Sequence, residues 1–171
     1  MARWRHLGWM ERPLRILLVE DNDNDVEIIQ RGLNRDPDKP EIHRVRNGEE
    51  ALDVLHRRRG YEDAARPDVI LSCLNLPKCG GLDLLATLKE DPKLQRIPFI
   101  VLTNSDREED RVRAYAAGAS AYFTKPVDEE EFEETLQILC SYWNRARTSP
   151  ELWIRGGKRT ASRAVLASLS W

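Results

Sequence analysis

The chain has 171 residues, enough for one domain with a full core and too few for two ordinary ones. Charged residues make up 33%, hydrophobic ones 41% and the formal net charge is −2, a soluble globular balance that leaves no chain-wide basic field for nucleic acid. The longest apolar runs, such as Ile16 to Val19 and Phe99 to Leu102, fall far short of the roughly 20 residues of a membrane span, so no membrane crossing is expected.

Residues 1–12 hold Arg3, Arg5 and Arg12, but Trp4, His6 and Gly8 interrupt any apolar stretch of the kind a secretory signal needs. They are expected to form an extension, and the protein to be cytoplasmic. Leu14 to Val19 is a short apolar run between Pro13 and the polar cluster Glu20 to Asp25, the pattern of a buried strand. Val26, Ile28, Ile29 and Leu33 then recur at helical spacing, with Asn and Asp caps in front and Pro37 behind. The alternation continues with a strand at Ile42 to Val45, a helix from about Glu49 to Arg58, a strand at Val69 to Cys73 and a helix from about Leu82 to Lys89. A strand at Phe99 to Leu102, a helix at Arg107 to Ala117, a strand at Ala121 to Phe123 and a helix from about Asp128 to Asn144 complete it.

Five strands alternating with five helices imply an α/β fold with a parallel sheet covered on both faces, and the flavodoxin-like doubly wound order 2-1-3-4-5 is the natural candidate. In such sheets the site lies beyond the carboxyl ends of the strands, where the order reverses. The residues there are Glu20-Asp21, Cys73-Leu74-Asn75, Thr103-Asn104 and Thr124-Lys125-Pro126. Two carboxylates, a carbonyl near Asn75, a hydroxyl and an ammonium suit a hard divalent cation and a phosphoryl group. Taken singly, each has a plainer reading: Glu20 and Asp21 as a solvated helix approach, Thr103 as a strand residue, Lys125 as a surface charge.

The segments Leu18-Val19-Glu20-Asp21-Asn22, Leu74-Asn75-Leu76-Pro77, Val101-Leu102-Thr103 and Phe123-Thr124-Lys125-Pro126 together resemble, in order, the four signatures of response-regulator receiver (CheY-like) domains. The likeness covers about residues 13–146, within an expected receiver domain at 13–147, and the long last helix ending Tyr142-Trp143 is similar to receivers that partner bacterial phytochromes. The resemblance implies that Glu20 and Asp21 bind magnesium with the carbonyl of Asn75, and that Thr103 and Lys125 sense phosphate. It makes Tyr122 the aromatic switch and the Lys125–Pro126 bond a cis-proline candidate.

One position departs from the family: where the resemblance places the phosphate-accepting aspartate, the chain has Cys73. Ser72 is no replacement, because consecutive strand residues face opposite ways. Gly80, before Gly81, is a milder departure that a turn tolerates. The plain reading of Cys73 is a small buried thiol closing the third strand, its pKa raised by two carboxylates that outweigh Lys125. Any magnesium site is then weakened, since a protonated sulfur is a poor ligand for a hard cation. With Cys73, Cys79 and Cys140 lacking CxxC spacing, reduced thiols are expected.

The expected protein is a stand-alone receiver of a two-component phosphorelay, not an enzyme, acting as a pseudo-receiver through phosphorylation-independent protein binding. Two alternatives stay open: an ordinary phosphoacceptor receiver carrying an introduced substitution, and a redox sensor using Cys73. The expected partners are a histidine kinase, in particular a bacteriophytochrome, and a second copy through the last helix. That helix carries Ile138, Tyr142 and Trp143 beyond the stripe its core needs. Residues 148–171 form a basic tail with Arg155, Lys158, Arg159 and Arg163, expected to be disordered or a short helix, and too short for a helix-turn-helix nucleic-acid reader.

Overall fold

The computed structural model describes residues 12–148. The expectations for the N-terminal extension, except at Arg12, and for the basic tail beyond Thr148 lie outside them. Ten elements alternate: β1 (Arg15–Val19), α1 (Asp23–Leu33), β2 (Glu41–Val45), α2 (Gly48–Leu55), β3 (Val69–Ser72), α3 (Gly81–Glu90), β4 (Phe99–Thr103), α4 (Glu108–Ala116), β5 (Ala121–Thr124) and α5 (Glu129–Thr148). The strands pair in parallel in the order β2-β1-β3-β4-β5, the expected doubly wound sheet.

The period of two along each strand divides the core into two layers. Ile16 and Leu18 of β1, Val69 and Leu71 of β3, and Ile100 and Leu102 of β4 meet Val26, Ile29 and Leu33 of α1 and Phe132, Leu136 and Leu139 of α5. Leu17, Val19, Ile70, Phe99 and Val101 face the other way, onto Val54 of α2 and Leu84, Leu85 and Leu88 of α3. Strands buried on both faces must be apolar throughout, which is why β1, β3 and β4 read as continuous runs. Tyr122 belongs to the second layer. On the first, α1 and α5 approach so closely that a Cβ on Gly32 would come within 2.9 Å of the Glu133 backbone.

Two helix ends depart from expectation. The second helix stops at Leu55 instead of continuing to Arg58, because Arg57 and Arg59 take left-handed φ values of 52° and 55°. The Arg58 guanidinium there folds back on Asp53 of α2 at 2.6 Å. The last helix runs on to Thr148. Just before this extension the helix is tied to the loop after α1, where the Asp36 carboxylate accepts hydrogen bonds from the Ser141 hydroxyl and the Asn144 amide. Among the described residues, no helix is long and apolar enough to cross a membrane.

Candidate functional site

Four of the five strands, β1, β3, β4 and β5, each deliver one residue to the carboxyl edge of the sheet, and backbone hydrogen bonds continue one step past the strands to hold these residues in place. The Glu20 N–H donates to Val45 O (3.0 Å), the Cys73 N–H to Val19 O (3.1 Å) and the Lys125 N–H to Thr103 O (2.7 Å). Glu20, Cys73, Thr103 and Lys125 are all buried.

The charges there are already matched. Lys125 Nζ lies 2.6 Å from Glu20 Oε2 and 2.6 Å from Asp25 Oδ2. The other Glu20 oxygen, Oε1, accepts from the Asn22 N–H (3.0 Å), and Asn22 Oδ1 in turn accepts from the Asp25 N–H (3.2 Å) as it caps α1. Glu20, Lys125, Asp25 and Asn22 thus close a ring of hydrogen bonds. Burial alone would lower the Lys125 pKa, but the bonds to Asp25 and Glu20 outweigh it and raise the ammonium above its ordinary value. Asp21 is exposed, and its carbonyl accepts from Arg44 (3.3 Å) and Arg46 (3.4 Å) of β2 and the turn after it. Those guanidiniums also pair with Asp23, holding its carboxyl below the usual range.

Burial pushes the Cys73 thiol up; Lys125 opposes this, Glu20 adds to it, the Asn75 N–H opposes it and Asp21 adds least. The expected direction therefore holds with a different leading cause. Desolvation dominates, and between the charges the neighbouring ammonium counts for more than either carboxylate, since Asp21 faces solvent. A raised, buried thiol is a poor nucleophile, so the redox alternative loses support. None of the three cysteines forms a disulfide. Gly81 lets α3 begin against this point, for a Cβ there would sit 2.1 Å from the Cys73 carbonyl oxygen. The Ser72 hydroxyl bonds to that same oxygen at 2.9 Å.

Thr103 Oγ1 accepts from the Ser105 N–H at 3.2 Å. Tyr122 is buried, its hydroxyl donating to Ser105 O at 2.9 Å, with the Arg111 guanidinium 5.4 Å above its ring. The cis-proline expectation is corrected: the Lys125–Pro126 bond is trans, as are all the described peptide bonds. Trans is the intrinsically preferred isomer, and with it Lys125 already reaches both carboxylates.

The sheet order, this edge and these residues meet a sequence match that decides the family: the model of the response regulator receiver domain fits residues 16–137. The chain belongs to the response-regulator receiver family. Receiver domains are signalling modules that work with histidine kinases. This one is 36% identical to response regulator Rcp1 of Synechocystis sp. over 138 residues, 81% of this chain and 94% of that protein. It is 33% identical to the polar-differentiation response regulator DivK of Brucella anthropi over 125 residues, 73% of this chain and 94% of that one. Among solved structures it is similar to the phosphorylated cyanobacterial phytochrome response regulator RcpA, with a TM-score of 0.73 and 37% identity over 77% of this chain and 94% of that one. The Mn(2+)-bound form of Rcp1 matches with a TM-score of 0.72 and 37% identity over the same shares.

A divalent cation in this receiver domain would draw on Glu20, Asp21 and the Asn75 carbonyl, and these residues fit it poorly. Both Glu20 oxygens are engaged, one by an ammonium, and the Cys73 thiol beside them is held neutral. Among the described residues, no three His, Cys, Asp or Glu side chains are grouped to hold a metal. The residues missed by sequence reasoning are Asp25, Ser105, Arg44, Arg46 and Arg111. Asp25 carried a signal, an acid in the first turn of α1 beside the expected site, but which carboxylate meets Lys125 depends on how the β5–α5 loop crosses α1.

On the interface expectation, Ile138 and Tyr142 stand one turn apart on the outer side of α5, 62% and 47% exposed. Trp143 is half-buried, packed against the α1–α5 layer of the core and edge-on to Tyr142 at 5.2 Å.

Proposed function

We propose that this receiver domain, spanning about residues 13–147, is a pseudo-receiver: it docks a histidine kinase in the cytoplasm without accepting a phosphoryl group, and acts by competing, adapting or signalling constitutively. The observation that carries this reading is Cys73, a buried thiol pushed up in pKa, at the end of β3 beside Glu20 and Lys125. A phosphoacceptor carboxylate belongs there in a receiver, and a neutral thiol offers no equivalent acyl-phosphate chemistry. The kinase is proposed to be a bacteriophytochrome, on the strength of the similarity to proteins described as phytochrome response regulators. A second copy binds through the outer side of α5, where Ile138 and Tyr142 present apolar surface and Trp143 supports them from the core side. The test is calorimetric titration of the kinase with the wild-type chain, with and without ATP and magnesium. Equal affinity in both conditions supports the reading, and binding that changes tenfold with phosphodonor together with phosphate on this chain overturns it.

A further inference from the structure

Lys125 bonds to two carboxylates, and only one of them comes from the acidic pair at the end of β1. The other, Asp25, stands on the first turn of α1, where Asn22 caps the helix and holds the Asp25 backbone in place. The Lys125 side chain is 3% exposed, so its charge must be met by protein groups, and Glu20 and Asp25 meet it at equal distances. Cys73 lies within the electrostatic reach of the same ammonium.

We propose that Asp25 is a positioning residue: it shares the Lys125 ammonium with Glu20, makes that lysine the pocket's own counter-cation, and so offsets part of the positive field that an anion would meet at the edge where Cys73 stands. This deepens the reading of the domain as a pseudo-receiver and rests on it. A lysine spent on two acids has less net charge to offer an incoming anion, and the β5–α5 loop is tied to α1 with no phosphoryl group required. Asp21, by contrast, acts on the thiol directly through space and makes no hydrogen bond to Lys125.

Charge-selective alkylation of Cys73 tests this. Wild type, Asp25→Asn, Asp25→Glu and Asp21→Asn are each treated with iodoacetate and with iodoacetamide at one pH, and Cys73 is scored by peptide mass mapping. The thiolate fraction cancels in the ratio of the two rates, which leaves the field felt by an anion. Asp25→Asn should raise the iodoacetate to iodoacetamide ratio about fivefold. Asp25→Glu should restore it, and Asp21→Asn should raise it less. Asp25→Ala carries the same expectation should the asparagine variant not fold. An unchanged ratio with both reagents equally accelerated would mean simple loosening and would overturn the proposal, as would an equal rise in Asp21→Asn or no restoration by glutamate. Phosphate found on the wild-type chain would instead overturn the pseudo-receiver reading, and the two failures are read from different measurements.

Discussion

The Lys125 ammonium and the Glu20 carboxylate meet at 2.6 Å with their side chains only 3% and 2% exposed, an ion pair almost wholly removed from water. Removing one partner of such a pair strands a buried charge, whereas removing both need not. Lys125→Met is therefore expected to cost about 3–5 kcal/mol in urea unfolding, and Lys125→Met with Glu20→Gln clearly less. A double variant as unstable as the single one would contradict the pairing.

The same pair sets an alkaline limit. The native Lys125 pKa is raised above its ordinary 10.5, so the stability from its ammonium is complete below 10.5 and lost as pH climbs through the raised native value. Unfolding midpoints measured from pH 7 to 12 should show no loss from Lys125 near neutrality and a fall above 10.5 that Lys125→Met lacks. A fall of that kind already present at pH 8 would speak against it.

Thiol accessibility orders the cysteines. Cys79 is half-buried and Cys73 buried, each with its pKa raised above the ordinary 9.0 by burial, and Cys140 on α5 is fully buried in the α1–α5 layer of the core. With an aromatic disulfide reagent at pH 8, Cys79 should react first, Cys73 more slowly and Cys140 only on unfolding. Cys73 reacting fastest at neutral pH would restore the redox alternative.

Sedimentation tests the outer side of α5. If Ile138 and Tyr142 anchor a second copy, Ile138→Glu with Tyr142→Ala should weaken self-association by tenfold or more while leaving the unfolding midpoint nearly unchanged, since both are exposed. Trp143→Ala should cost stability, because that ring packs against the core. Identical sedimentation of wild type and the double variant at every concentration rules this interface out.

The sheet was legible because burial on both faces leaves β1, β3 and β4 as short apolar runs, and the period between them gives the helices. The strand ends then named Glu20, Cys73, Thr103 and Lys125 together. The pairing within the pocket was not legible. Lys125 was expected to face a phosphoryl group, yet it is held by Asp25, a residue one hundred positions away whose role follows only from the docking of the β5–α5 loop on α1. The end of α2 was missed for a local reason: arginines rarely adopt positive φ, and no glycine marks the stop before Gly60. The ring-over-guanidinium contact of Tyr122 and Arg111 likewise needs α4 and β5 to be brought together.

Magnesium binding should follow the carboxylates. With Glu20 held by Lys125 and a neutral thiol at Cys73, calorimetry is expected to find no micromolar site in the wild-type chain, and Cys73→Asp should bind more tightly. Tight binding by the wild type would mean that the cation displaces Lys125 from Glu20.

In the proposed pseudo-receiver, Cys73 removes phosphate acceptance from an otherwise assembled receiver edge. The intact mass of the wild-type chain and of Cys73→Asp after incubation with acetyl phosphate and magnesium, or with a histidine kinase and ATP, tests this loss. No added phosphate is expected on the wild type and acceptance is expected in Cys73→Asp, with Thr103 beside the new acyl phosphate and Lys125 reaching it only by leaving Glu20 and Asp25. Stoichiometric phosphate on the wild-type chain at any residue of this pocket would contradict it.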